Sequence, residues 1–167
     1  MSRGFVKEDD QEDIPFIAPR AYLPPGTINY VTPTGMEALM SEREALISEK
    51  NQWHGHNENE RRVANNYLNA RLQLLDERIV SARVVKLNEQ PKHEVRFGAT
   101  VTIKDLHSNN IQTIQITGVD EANPVLGKIS FISPLAHVLT NKKIGDEVQL
   151  KPKIGEIKYL IEQIEYK

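Results

Sequence analysis

The chain of 167 residues contains no cysteine. This absence excludes disulfides, thiolate zinc sites and cysteine nucleophiles, and it makes a reducing, cytoplasmic location the expectation. An excess of charge of one sign is also missing, because 21 Lys and Arg oppose 23 Asp and Glu. The molecule as a whole therefore has no field that attracts nucleic acid, and any such contact must be local.

Long apolar runs are absent as well. No stretch approaches the roughly 20 apolar residues that span a bilayer, and the first 13 residues carry five acids where a signal peptide has an apolar run. We expect no membrane partner.

The sequence also lacks a nucleophile elbow and a glycine-rich phosphate loop, which argues against an enzyme of lipid or acyl metabolism. The length suits one core or two small modules.

Residues 1–31 form an acidic, proline-rich extension in this interpretation. Prolines 15, 19, 24 and 25 oppose helix formation. Apolar side chains are nevertheless present, which favours packing of residues 14–31 against the body over full disorder. They are Phe16, Ile17, Tyr22, Leu23, Tyr30 and Val31.

Residues 32–87 predict an antiparallel helical hairpin. Thr32 is a suitable cap for a helix that begins at Pro33, and Gly55 is suited to end that arm. Asn57 with Glu60 three positions later predicts the start of the second arm. That arm repeats apolar residues at alternating steps of four and three, the seam of a coiled coil: Leu68, Leu72, Leu75, Ile79 and Ala82.

Residues 88–167 predict a small antiparallel α+β domain. Apolar and polar residues alternate over 95–103, and strands are also expected at 128–132, 147–150 and 157–166. The alternation changes parity in the last strand, which a bulge near Glu162 would explain. Ser133 is expected to cap a short helix.

Three segments of this domain carry four motifs. VRFGATVTI at 95–103 contains an FGATV strand, ITGVDEA at 116–122 a G-x-DEA turn, and ISFISPLAHVLTNKKIGDEV at 129–148 an SP-[LIM]-A run followed by a K-x-x-GD run. These motifs resemble the C-terminal domain of the Gre family of bacterial transcript-cleavage factors. TPTGMEAL at 32–39 and ARVV at 82–85 resemble the two ends of its coiled coil. The resemblance covers about residues 32–167.

The resemblance implies a monomeric factor that docks on bacterial RNA polymerase by an FKBP-like C-terminal domain, at the rim of the secondary channel. Its coiled coil would reach toward the active centre and the 3′ end of the nascent RNA. Acids at the tip of full members hold a second magnesium ion of the polymerase, whose own site then cleaves backtracked RNA. Such a factor is not itself an enzyme and has no cofactor of its own. The matching blocks imply these docking candidates: Asp120, Glu121, Ser133, Pro134, Leu135 and Ala136.

The tip departs from the family pattern. Glu58 and Asn59 match its Glu-Asn pair, but His56 stands where an aspartate is expected, and each arm is shorter by roughly one heptad, or about 10 Å. Glu58 and Glu60 are the candidate acids for catalytic assistance, with Glu58 the candidate contact to the polymerase magnesium. The alternative is that both stabilise the first turn of a helix, because residues two apart diverge by roughly 200°.

Further alternatives stay open at this point. Trp53 either packs across the turn or contacts RNA or polymerase. The spacing of His54, His56 and Glu58 would allow a transition metal if the loop were extended. The arginines of the hairpin form either a solvated face or an RNA-steering one. Two leading functions remain, a cleavage factor acting through Glu58 and a non-cleaving occupant of the channel. Prolyl isomerase activity is a minor alternative that the FKBP-like domain suggests. Isomerase pockets of that type rely on clustered aromatic residues, whereas those of the C-terminal half are predicted on separate strands: Phe97, Phe131, Tyr159 and Tyr166.

Overall fold

The computed structural model describes residues 15–53 and 55–167. Two helices form a hairpin, and a five-stranded sheet with one short helix follows. In chain order the elements are β1 (Asn29–Val31), α1 (Pro33–Gln52), α2 (Glu58–Ser81), β2 (Ala82–Val84), β3 (Thr100–Asp105), β4 (Ile111–Thr117), β5 (Lys128–Ser130), α3 (Pro134–Leu139), β6 (Glu147–Leu150) and β7 (Ile157–Glu165).

The hairpin begins and turns where the capping residues predict. The hydroxyl of Thr32 accepts the amide hydrogen of Gly35 over 2.9 Å, and the side chain of Asn57 accepts that of Glu60 over 2.8 Å. Both bonds satisfy amides that the first turn of a helix leaves free. The predicted seam is confirmed, because these side chains form one apolar core: Val31, Leu39, Leu46, Leu68 and Leu75 buried, with Met36, Leu72, Ile79 and Ala82 partly buried around them.

A short parallel strand pair at the base of the hairpin was not expected. β1 pairs with β2, with Tyr30 opposite Arg83. Residues 82–84, expected as the end of the coiled coil, are therefore a strand. The side-chain amide of Asn29 donates to the carbonyl of Arg78 and to the hydroxyl of Ser81. The last residues of the extension are thus fixed to the base of both arms.

The sheet of the C-terminal domain has the order β5-β4-β3-β7-β6. Three of its pairings are antiparallel, as predicted, and β4–β5 is parallel, so the sheet is mixed. β4 was not predicted as a strand. The bulge is confirmed, since Thr102 and Ile103 pair with Gln163 and Ile161 and thereby skip Glu162.

The strand predicted from residue 95 begins only at Thr100. Residues 95–99 form a turn in which Val95, Gly98 and Ala99 are buried and Arg96 is exposed. The amide of Ala99 donates to the carbonyl of Arg96, and Gly98 has φ of 86°. The alternation there reflects burial of Val95 and Ala99, both at 0% exposure. α3 forms as predicted, with the Ser133 hydroxyl accepting the amide hydrogen of Ala136.

Among the residues described, no helix is long and apolar enough to cross a membrane.

Candidate functional site

The hairpin tip is a short loop between α1 and α2 in which an aromatic ring covers a glycine. A Cβ built on Gly55 would lie 1.8 Å from the ring of Trp53, so a side chain at this position would force the indole to move. Trp53 is half-buried. This is the packing across the turn that a lone tryptophan at a hairpin end predicts.

The two candidate acids lie in the first turn of α2. Glu58 and Glu60 are both exposed, and Asn57 caps the helix just before them. Their positions diverge by roughly 200° around the axis, so they do not face one ion. In the described ranges, no group of three His, Asp or Glu side chains could hold a metal. His54, one member of the alternative metal set, lies outside the described residues.

Cationic and amide side chains surround the tip. An open pocket with a volume of about 430 Å³ lies beside Trp53 and Gly55. Its other lining residues are Lys50, Asn51, Arg61 and Asn65. The tip therefore presents mixed charges and an aromatic ring rather than a cluster of carboxylates.

The acidic turn, Asp120 and Glu121, lies at the base of the hairpin. Both side chains are only 9% exposed. Asp120 accepts from the Nε of Arg20 over 3.0 Å, and Arg78 Nε lies 3.3 Å from its second oxygen. The structure therefore places this carboxylate in contacts within the chain, and its predicted role in docking stays a prediction.

Glu121 joins the C-terminal domain to the first turn of α1. Its carboxylate accepts from the Thr32 hydroxyl over 2.5 Å and from the Lys128 ammonium over 3.1 Å. A Cβ on Gly35 would lie 2.6 Å from the same carboxylate, so glycine makes room for it. The positive end of the helix dipole favours a negative charge there.

The four residues of the SPLA segment, 133–136, differ in how exposed they are to a partner. Pro134 is exposed, and Ser133 and Leu135 are half-buried, whereas Ala136 is fully buried. Ser133 caps α3, and Leu135 packs on the core of the domain. Of these four predicted docking residues, Pro134 offers the most surface, and Ala136 acts in the core.

Three aromatic rings meet where the hairpin joins the C-terminal domain. Phe97 and Phe131 lie 5.6 Å apart between centroids, and Tyr30 lies 5.7 and 5.8 Å from them. The expectation that the aromatic residues stay apart is therefore wrong for Phe97 and Phe131. Tyr159 and Tyr166 do belong elsewhere, since Tyr159 is buried in the sheet core and the hydroxyl of Tyr166 donates to the carbonyl of Glu94.

Comparison with known proteins identifies the family of this chain. The family described as "Transcription elongation factor, GreA/GreB, C-term" matches residues 90–166. The transcription elongation factor GreA of Hyphomonas neptunium is 35% identical over 121 residues, which is 72% of this chain and 74% of that protein. The chain belongs to the Gre family.

Solved structures of the family are more distant from this Gre factor. The GreA/GreB factor of Nitrosomonas europaea is 21% identical, with a TM-score of 0.42, over 82% of this chain and 98% of that one. The GreA factor homolog 1 of Thermus thermophilus is also 21% identical, with a TM-score of 0.40, over 83% and 99%.

Sequence reasoning missed Arg20 and Tyr30 of this Gre factor as members of the site. Both lie in the extension, outside the range that the family resemblance covers. The partners of Arg20, Glu42 and Asp120, are 22 and 100 residues away in the chain. Apolar residues in the extension predicted packing, but no local pattern identifies partners at such separations.

Proposed function

We propose that this Gre-type elongation factor binds bacterial RNA polymerase and enters its secondary channel without stimulating transcript cleavage. It then competes with full-length Gre factors for the same rim of the channel. The observation that carries this proposal is the tip, where Glu58 is the one acid matching the family pattern and Glu60, in the same first turn, diverges from it by roughly 200° around the helix axis.

The chemistry of cleavage needs more than this tip offers. In a two-metal mechanism, carboxylates raise the occupancy of a weakly held second ion at the polymerase centre. Glu58 can bring one charge, but Glu60 points away from it, and Lys50 and Arg61 line the neighbouring surface. Cations beside the tip oppose the binding of another cation. We infer that the described residues of the tip form no catalytic centre and hold no metal ion by themselves.

The length of the hairpin argues in the same direction. α1 has 20 residues and α2 has 24, which correspond to about 30 and 36 Å at 1.5 Å per residue. The family resemblance of the sequence implies that a full member extends about 10 Å further. A shorter hairpin still fills the entrance of a channel, whereas it brings Glu58 less close to the reacting phosphate.

Docking is proposed to use the C-terminal domain, on the side of α3 where Pro134 is exposed. The acidic turn would contribute to docking only through the small exposed fraction of its two side chains. A polymerase partner places the activity of the chain in the bacterial cytoplasm.

The test is cleavage of RNA in purified polymerase halted in a backtracked state. We expect the wild-type protein to release few or no short 3′ fragments, and to slow release driven by a full-length Gre factor in proportion to its concentration. Glu58→Ala should slow that release equally well, because occupancy of the channel does not need the carboxylate. Glu44→Ala, an exposed acid in the middle of α1, is the matched control.

A cleavage factor acting through Glu58 is the second candidate, favoured by the match of Glu58 and Asn59 to the family pair. It predicts fragment release by the wild-type protein at a one-to-one ratio to polymerase. That release would be lost in Glu58→Ala and kept in Glu44→Ala. This result would replace the non-cleaving proposal. Failure to slow the full-length factor would contradict the proposal that the two proteins share a docking site.

A further inference from the structure

Residues 15–31, called the strap below, contact both the hairpin and the C-terminal domain. The guanidinium of Arg20 donates through both Nη atoms to the carboxylate of Glu42 on α1, over 2.9 and 3.1 Å. Its Nε donates to Asp120 of the C-terminal domain over 3.0 Å. One side chain therefore joins an arm of the hairpin to a turn in the other domain.

The geometry of this contact is well defined. A planar guanidinium that binds one carboxylate with two parallel hydrogen bonds fixes direction as well as distance. Arg20 is 19% exposed and Asp120 is 9% exposed, so water screens their pair less than it screens surface pairs. The hydrogen bonds to Glu42, together with the charge of Asp120, raise the pKa of Arg20.

The strap is held at further points around Arg20. Arg78 donates to the carbonyl of Ala21, β1 pairs with β2, and Tyr30 packs on Phe97 and Phe131. The backbone approaches closely too, since a Cβ on Gly118 would lie 2.6 Å from the carbonyl oxygen of Tyr30. The covalent connection between the hairpin and the sheet passes through residues 85–99 alone, and the strap adds a second connection beside it.

We propose that Arg20 is a positioning residue, which fixes the angle between the hairpin and the C-terminal domain. That angle determines where the tip points once the C-terminal domain is docked. The consequence for polymerase rests on the proposed function, whereas the angle itself is a property of the free protein. Measuring the two separately keeps their failures distinguishable.

The angle can be measured in the free protein by spin labels, since the chain has no cysteine to interfere. Glu49→Cys on α1 and Gln112→Cys on β4 introduce labels at exposed positions in the two domains. We expect a narrow distance distribution in the labelled wild-type background. Arg20→Ala should broaden it or add a second distance. Asp120→Ala should do so too, because it also removes the contact between Arg20 and Asp120, together with the ion pair between Arg78 and Asp120. Arg20→Lys should give a distance distribution intermediate in width between those of the wild type and Arg20→Ala, because an ammonium keeps the charge and loses the two parallel bonds.

The matched control is Arg43→Ala. Arg43 Nε lies 2.7 Å from Asp76 in an ion pair of the same type, but this pair joins the two arms within the hairpin. Its removal should leave the distance distribution narrow. Unchanged distributions in Arg20→Ala, with helix content intact by circular dichroism, would overturn the proposal. They would assign the angle to the contacts that remain between the domains, which include Arg78 with Asp120, Thr32 with Glu121 and the aromatic cluster.

The consequence is tested with the unlabelled variants in the competition against a full-length Gre factor. Apparent affinity falls with the fraction of molecules in the competent orientation. We expect Arg20→Ala to need roughly three to ten times more protein for half-maximal slowing of cleavage, and Arg43→Ala to match the wild type. If Arg20→Ala broadens the distance distribution but competes as well as the wild type, Arg20 still fixes the angle in the free protein. The proposed consequence of that angle for binding to polymerase would then be wrong.

Discussion

Single residues in this protein take their roles from partners that are far away in the chain. Gly35 illustrates this, because it lies in the first turn of α1 and a side chain there would meet the carboxylate of Glu121 at 2.6 Å. A helix former at this position would favour the isolated helix. The contact between the domains instead needs the space that a side chain at position 35 would fill. A residue that favours the isolated helix would therefore not fit the folded protein.

Asp105 gives a prediction at the same scale. Its carboxylate accepts the amide hydrogens of His107 and Ser108 over 2.8 and 3.2 Å, and these bonds lower the pKa of Asp105 below its ordinary value of 3.8. A lowered folded-state pKa means that the ionised form stabilises the fold above the ordinary pKa, and that this contribution is lost as the pH falls through the folded-state value. Asp105→Asn keeps an acceptor and removes the charge.

We therefore expect Asp105→Asn to lower the urea midpoint at pH 6, with a difference from the wild type that shrinks toward pH 3. Glu156→Gln, an exposed carboxylate in the loop before β7, is the control. A difference that stays constant between the two pH values would show that the carboxylate charge does not stabilise this turn.

Elements of the hairpin follow the sequence pattern closely, because capping and the coiled-coil seam are local. The seam has an apolar base and a polar distal end: Leu75 is 0% exposed, whereas Arg61, on the backward extension of the same seam, is exposed. Stability should therefore be concentrated at the base, near the C-terminal domain.

Replacing Leu75 by Ala should lower the free energy of unfolding by about 2–5 kcal/mol, because the site is fully buried between the arms. Arg61→Ala should change it by less than about 0.5 kcal/mol, as for other exposed sites. Urea unfolding followed by circular dichroism measures both. Equal losses at the two positions would contradict the division of the seam into an apolar base and a polar end.

At the scale of the whole molecule, the described residues form two apolar cores, one in the hairpin and one on the sheet. Tyr30 lies between them, since its neighbour Val31 belongs to the hairpin core and its ring packs on Phe97 and Phe131 beside the sheet. Aromatic pairs of this kind contribute about 0.5–1.5 kcal/mol beyond the burial of their surface. This contact and the ion pairs of Arg20 couple the two cores.

Tyr30→Ala should weaken that coupling. We expect a single calorimetric transition for the wild-type protein, and a broader or divided transition for the variant, because each core then unfolds more independently. Tyr22→Ala is the control, since Tyr22 lies in the same strap with its side chain 72% exposed. Two resolved transitions already in the wild type would show that the contacts of Tyr30 do not couple the cores.

The sequence by itself determined the elements whose signals are local. Thr32 and Asn57 cap the helices, the leucine seam forms the hairpin core, and the parity change near Glu162 marks the bulge. The motifs of the C-terminal half also identified the family. Short-range hydrogen bonds and periodicity carry this information, so it can be read without a partner segment.

Only the tertiary structure decided how the two domains are joined. It shows Asp120 and Glu121 in contact with the strap and with α1, and it brings Tyr30 to two phenylalanines on distant segments. Each of these contacts depends on pairing across tens of residues, and an arginine or a tyrosine in a proline-rich extension carries no sign of its partner. The physical reason is that charge and aromatic surface specify what kind of group can bind, whereas the fold specifies which group comes within reach.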